Sequence, residues 1–293
     1  MKLTLKANSK INLILDITGI KKKGYHSLFT VMQSLSLGDI ITVEKTFGES
    51  IEIFCDTEGV PTDKSNIVYK CAEKFFDYAQ IKKDRGIRIS IEKHTPFGAG
   101  MGGGSSDGAA VLVALNKIFK TDFPDKVLCR IGAKVGADIP FCIVGGTALA
   151  LDIGEIVAPL PDLEDFRIVV VKPKDCVSTK EAYAAVDALE NIKHTNNKEM
   201  LELLADGEFR TALKLCGNVF EQAIEVPGRV DIKDIMNKNG ALASCMTGSG
   251  SAVYGIFEEK SDAENSAEKL REMFNDVYIC TPEPNGVEII SEN

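Results

Sequence analysis

One segment constrains this chain more than any other: a glycine-serine loop set between a strand pattern and a helix pattern. Residues 86–93, GIRISIEK, alternate apolar and polar side chains with the period of a half-buried strand. The loop follows as Pro96, Phe97, Gly98, Ala99, Gly100, Met101, Gly102, Gly103, Gly104, Ser105 and Ser106. Ala109, Ala110, Leu112, Val113 and Leu115 then continue as a helix with a small-residue face. Five glycines between positions 98 and 104 let the backbone take positive φ and come close to a ligand. The helix that follows presents free N–H groups and the positive end of its dipole to an anion. Ser105 and Ser106 add hydroxyl donors, and either is suited to cap the helix. Asp107 reads as a further capping residue rather than a magnesium ligand.

Three other readings of the loop compete. Gly98, Gly100 and Gly103 fit the G-x-G-x-x-G dinucleotide fingerprint, but that site needs an acidic residue about 20 positions on, at the end of a second strand. Here that region is Asn116-Lys117-Ile118-Phe119-Lys120, still in the helix pattern. A P-loop needs Lys then Ser or Thr after its last glycine, and Gly104 is followed by Ser105. A plain flexible loop does not call for paired serines opening a small-residue helix. The loop is therefore expected to bind phosphate.

With 293 residues the chain is expected to form about two domains and to bury a core without disulfides. Its net charge of −9 argues against nucleic acid and anionic membrane as main partners. The eight cysteines form no C-x-x-C pair and His26, His94 and His194 lie far apart, so a zinc site is not expected. Reduced thiols, the absence of an apolar leader in MKLTLKANSK and the absence of a membrane-length apolar run point to a cytoplasmic protein.

The N-terminal stretch alternates Ile11, Leu13, Leu15 and Ile17 with Lys10, Asn12, Ile14 and Asp16, which puts Lys10 and Asn12 on one face of a strand. DIITVEK (39–45) and SIEIFC (50–55) read as a hairpin, and residues 66–81 as a helix. A further helix starts at Pro124, and residues 145–160 read as paired strands. After the Pro- and Asp-rich segment 159–165 come a strand at FRIVVVKP, helices near 179–190, 197–225 and 229–239, strands at ALASCMTG and SAVYGIF, a helix at 261–274 and the strand DVYICT. Mixed elements without regular β-α-β alternation predict an α+β chain of two domains, 1–160 and 161–293.

PFGAGMGGGSSDGAAVLVALN resembles the second motif of the GHMP kinases. SKINLILDITGIKKKGYHSL (9–28), GADIPFCIVGGTALALDIGE (136–155) and MTGSGSAVYGIF (246–257) resemble other blocks of that family, in the same order. The first two of these are similar to the members that act on a cytidine-diphosphate substrate. The chain departs from the common pattern at Ser9, Lys23, Gly98 and Gly108.

The resemblance implies a ribosomal protein S5-like N-terminal domain and a ferredoxin-like C-terminal domain, with the active site in the cleft between them. It implies ATP and Mg2+ as cofactors and, as partner, a small cytidine-diphosphate alcohol from the non-mevalonate route to isoprenoids. Lys10 and Asp138 become the catalytic pair. Asp138 would take the hydroxyl proton and Lys10 would orient and stabilise the reacting groups, an ammonium that keeps the carboxylate ionised. Tyr25, His26, Tyr183 and Asn12 become substrate contacts, the tyrosines by stacking on the base. Read singly, Lys10 is a strand-face lysine and Asp138 a turn residue; only the shared order of motifs raises them to catalysts. Thr247, Gly248, Ser249 and Gly250 suit backbone donors or a plain turn. The alternatives are another GHMP kinase, acting on homoserine, mevalonate or a sugar, and a non-catalytic sensor of the same fold.

Overall fold

The computed structural model describes residues 1–20, 26–154, 156–163 and 165–293. Two long strands form its spine. β1 (Lys2–Ile20) and β2 (His26–Lys45) pair antiparallel over nearly their whole length. Both are broken by register shifts, and β2 changes partner along its course. Its C-terminal half pairs with β4 (Ile87–Glu92), and its N-terminal half with β5 (Thr147–Asp152). β6 (Ile156–Pro159) pairs with β5, as the sequence pattern predicts.

The expected hairpin of 39–45 with 50–55 does not form. β3 (Ile51–Cys55) lies at the sheet edge, parallel to β4, and β4 separates it from β2. Periodicity identifies a strand but not its neighbour. Ile87, Ile89 and Ile91 are all buried and suit the inner position, whereas Phe54 is more than half exposed and suits an edge. The chain crosses from β3 to β4 through α1 (Ile67–Ala79), capped by the Asn66 side chain on the Val68 N–H.

α2 (Gly103–Ile118) is the central helix, buried along most of its length. Its small residues have a packing reason. A Cβ on Gly108 would lie 2.9 Å from Cys71 Sγ of α1, so the glycine lets the two helices approach. α3 (Asp125–Gly132) starts after Pro124, and α4 (Ile139–Val144) after Asp138.

The second sheet runs β11-β7-β10-β9, all antiparallel: β7 (Arg167–Lys172), β9 (Ala243–Met246), β10 (Val253–Phe257) and β11 (Asp276–Cys280). The apolar run in β7 is explained by burial on both faces. Val169 and Val171 pack on α8 (Arg229–Lys238) and α9 (Lys260–Arg271), while Ile168 and Val170 face the first sheet. α5 (Thr179–Asp187), α6 (Asn197–Ala205) and α7 (Phe209–Leu213) fill the connection from β7 to β9. The helix expected over 197–225 breaks after α7 into a two-residue strand, β8 (Gly217–Asn218), and a 3-10 turn.

A second strand, besides β8, has no counterpart in the sequence reading. β12 (Val287–Glu292) returns from the C-terminal half and pairs antiparallel with β1, covering the first sheet's edge. All eight cysteines are unpaired, and no helix among the described residues is long and apolar enough to cross a membrane.

Candidate active site

β1 carries Lys10 and Asn12 into the junction between the two sheets. Lys10 is 3% exposed, so its ammonium has lost bulk water and needs partners. Nζ donates to Asn12 Oδ1 (2.8 Å) and to the carbonyl of Gly100 (2.9 Å), and lies 3.6 Å from Asp138 Oδ2. Asp138 stands at the start of α4 with its carboxylate 39% exposed and no bond to the helix's own N–H groups. It is available to a ligand, whereas Lys10 is held.

Asn12 is more constrained than a substrate contact alone would require. Its Oδ1 accepts from Lys10, from the Thr247 hydroxyl (3.1 Å) and from the Gly248 N–H (2.9 Å), and its Nδ2 donates to Thr30 Oγ1 (2.9 Å). It joins the lysine to the turn 247–250, which sequence alone left between a donor site and a plain turn.

The glycine loop is stitched to both halves of the chain. The Met101 carbonyl accepts from the Lys10 N–H and the Ala99 carbonyl from the Ala252 N–H. Gly100 has φ +75°, and a Cβ there would sit 2.4 Å from the Thr247 carbonyl, so only glycine fits. Gly98 and Gly102 also take positive φ, and a Cβ on Gly102 would press on the Lys10 side chain.

The loop's side chains divide by destination. Ala99 and Met101 turn into the apolar core between the sheets, while Phe97 is 69% exposed. Helix α2 begins earlier than its serines suggest: Gly102 is the N-cap, and neither serine nor Asp107 caps it. Ser106 is fully buried and donates to the Asn8 carbonyl (2.7 Å), so its hydroxyl serves packing. Ser105 lines the cavity with Gly100 and Gly102. Pro96, Gly98, Gly103 and Gly104 flank that stretch without lining it. Asp107 pairs with Lys93 instead of serving the helix end.

These groups open onto a cavity of about 770 Å³, large enough for a nucleotide-sized ligand. Its far wall is aromatic. His26 and Tyr183 stack with centroids 4.5 Å apart, and Phe220 meets Tyr183 edge-on. His26 Nε2 pairs with Asp187 Oδ1 at 2.7 Å, one turn beyond Tyr183 on α5. Burial, with a smaller push from Asp138, raises the Tyr183 phenol to about 12, so it is neutral. Tyr25 lies outside the described residues. Sequence reasoning missed Thr30, Lys134, Thr179, Lys180 and Phe220, which line the same cavity from separate elements. No motif flags them, because each is an ordinary residue on its own element.

Both halves of the chain match one family, the GHMP kinases: its N terminal domain over residues 66–146 and its C terminal domain over residues 185–276. The chain belongs to the GHMP kinase family, with the two-domain α+β fold of that family. Among its relatives, the 4-diphosphocytidyl-2-C-methyl-D-erythritol kinase of Caldicellulosiruptor bescii is 40% identical over 94% of this chain and 97% of the relative. That of Clostridium perfringens (strain SM101) is 41% identical over 94% and 96%. A crystal structure of 4-(cytidine 5'-diphospho)-2C-methyl-D-erythritol kinase superposes with a TM-score of 0.77 at 31% identity, covering 96% of this chain and 99% of that one. Homoserine kinase from Cytophaga hutchinsonii reaches a TM-score of 0.78 at 18% identity, over 99% and 97%, which is a likeness of fold.

Proposed function

We propose that this chain is an ATP-dependent kinase that phosphorylates the 2-hydroxyl of 4-diphosphocytidyl-2-C-methyl-D-erythritol, a step toward isoprenoid precursors. The observation that carries the reading is the Lys10–Asp138 pair, 3.6 Å apart at the wall of a cavity that also receives the glycine loop and the start of α2. The relatives' names supply the substrate, and the aromatic wall of His26, Tyr183 and Phe220 suits a nucleobase.

In this reading the N–H groups at the start of α2, with Gly100, Gly102 and Ser105, receive the ATP phosphates. Asp138 accepts the substrate hydroxyl proton as that oxygen forms its bond to the terminal phosphorus and ADP leaves. Lys10, 3.6 Å from Asp138, orients its carboxylate and offsets the negative charge of transfer. A base that stacks on the Tyr183 ring displaces the His26 imidazole from it.

Mg2+ belongs to the reading as the partner of ATP. Kinase magnesium uses one or two carboxylates together with phosphate oxygens and water. Among the described residues no three His, Cys, Asp or Glu side chains gather, and Asp138 is the carboxylate lining the cavity. That donor set fits an ion held mainly by the phosphates, with Asp138 beside it. The ion would supply charge neutralisation at the transferred group. The setting would be the cytoplasm, where ATP is supplied.

Asp138→Asn tests the reading. Its turnover is expected to fall by about 10³-fold or more, within the range a general base supplies, with melting temperature unchanged. ADP release should appear with the cytidine substrate and not with homoserine or mevalonate. Wild-type turnover in Asp138→Asn, or equal release with the controls, would count against it.

A further inference from the structure

Asp39, Lys93 and Asp107 play no part in the site described above, yet they sit at the two ends of its glycine loop. Lys93 follows β4 and is joined to the loop by His94 and Thr95; Asp107 follows Ser106 within α2; Asp39 comes from β2. The Lys93 ammonium pairs with Asp39 Oδ2 and donates to Asp107 Oδ2 at 2.9 Å. The other oxygen of Asp39 accepts the backbone N–H groups of His94 and Thr95, each at 2.7 Å. All three side chains are buried, with Asp39 at 0%, Asp107 at 5% and Lys93 at 8% exposure. Asp107 Oδ1 has no hydrogen-bond partner.

A buried triad of two acids and one base is a poor way to stabilise a fold, because the desolvation cost offsets most of the attraction. Its position supplies another reason. The triad ties His94 and Thr95, which lead into the loop, and the early turns of α2 to one point on β2. It also supports the helix start directly: a Cβ on Gly103 would meet Thr95 Cγ2 at 3.1 Å and Lys93 Nζ at 3.4 Å.

We propose that Asp39 and Asp107 are positioning residues for the nucleotide. With Lys93 they clasp the two ends of the glycine loop, and so set where its N–H groups meet the phosphates. The inference rests on reading that loop as the ATP site.

Charge adds a second consequence. Burial pushes the Asp107 carboxyl up to about 8, against the pull of the Lys93 ammonium and with a push from Asp39. Among the described residues the other titratable neighbour is a thiol kept neutral by burial, Cys142 on α4. With Asp107 protonated, the clasp carries one positive and one negative charge. Once that proton leaves, a buried net negative charge lies beneath the helix end that receives phosphate. ATP binding therefore weakens as pH rises through about 8.

The test is the KM for ATP and the KM for the cytidine substrate in Asp107→Leu, Asp107→Asn and the loop variant Ser105→Leu, with a melting temperature for each. Asp107→Leu is expected to raise the KM for ATP about tenfold or more and to leave the other KM within about twofold. Asp107→Asn keeps the shape in neutral form. It is expected to keep the wild-type KM for ATP near neutral pH and to lose the rise that the wild type shows above about pH 8. An unchanged KM for ATP in Asp107→Leu, parallel rises in both KM values, or a wild-type pH profile in Asp107→Asn would overturn the clasp. Should Asp107→Leu fail to fold, the Asp107→Asn profile decides. Ser105→Leu separates the clasp from its footing. If it leaves the KM for ATP unchanged, the loop is not the nucleotide site. If it raises that KM while the Asp107 variants do not, the clasp alone falls.

Discussion

Lys10 shows why a residue's type says little before its surroundings are known. An alternating strand pattern makes it a solvated lysine; the fold buries it at 3% exposure and gives it three oxygen partners, one of them Asp138. Asp107 moves the same way, from helix cap to buried partner of Lys93. That change has a measurable sign. An unfolded aspartate titrates near about 4, and in the fold Asp107 titrates near about 8. Between those values the native state holds a proton that the unfolded state has lost, so stability from this group is complete below about pH 4 and declines as pH rises through about 8. Relative to Asp107→Asn, wild-type stability in urea is therefore expected to fall between about pH 5 and about pH 8. Parallel pH curves for the two proteins would contradict a raised Asp107.

At the scale of elements, existence was more legible than partnership. The strand at 86–93, helix α1 and the strand β7 lie where periodicity puts them. The hairpin of β2 with β3 failed because a period of two carries no information about which strand lies alongside. β12 went unread because Val287–Glu292 is short and half exposed, with no alternation to mark it. Yet it closes the edge of β1 from Leu3 to Ala7, with one register shift between Thr4 and Leu5. A Cβ on Gly286 would lie 1.9 Å from the Cys142 carbonyl, so its entry to the sheet is also tightly fitted. Truncation after Asn285 is expected to lower the melting temperature by at least about 5 °C and to promote association through the uncovered strand. A truncated chain that melts with the wild type and stays monodisperse would show that β12 is dispensable.

The molecule as a whole is joined by one apolar cluster that ignores the midpoint of the sequence. Ile11, Leu13, Val31 and Leu35 of the first sheet pack with Ile168, Val170, Tyr254 and Ile256 of the second, and Ala99 and Met101 of the glycine loop lie among them. The Tyr254 hydroxyl, fully buried, donates to the Asn12 carbonyl at 2.8 Å. Such a shared core is expected to give a single calorimetric transition, with calorimetric and van't Hoff enthalpies equal; two resolved transitions would mean that the halves unfold separately. The loop's glycine-serine composition, the α+β class and the family's motif order were legible in the sequence alone, because turn chemistry and periodicity act over a few residues. The fold alone decided that Lys10 meets Asp138, that Asn12 binds Thr247, and that Asp39 and Asp107 converge on Lys93. Those contacts span up to 235 positions, and no local rule specifies a distance between side chains that only packing brings together.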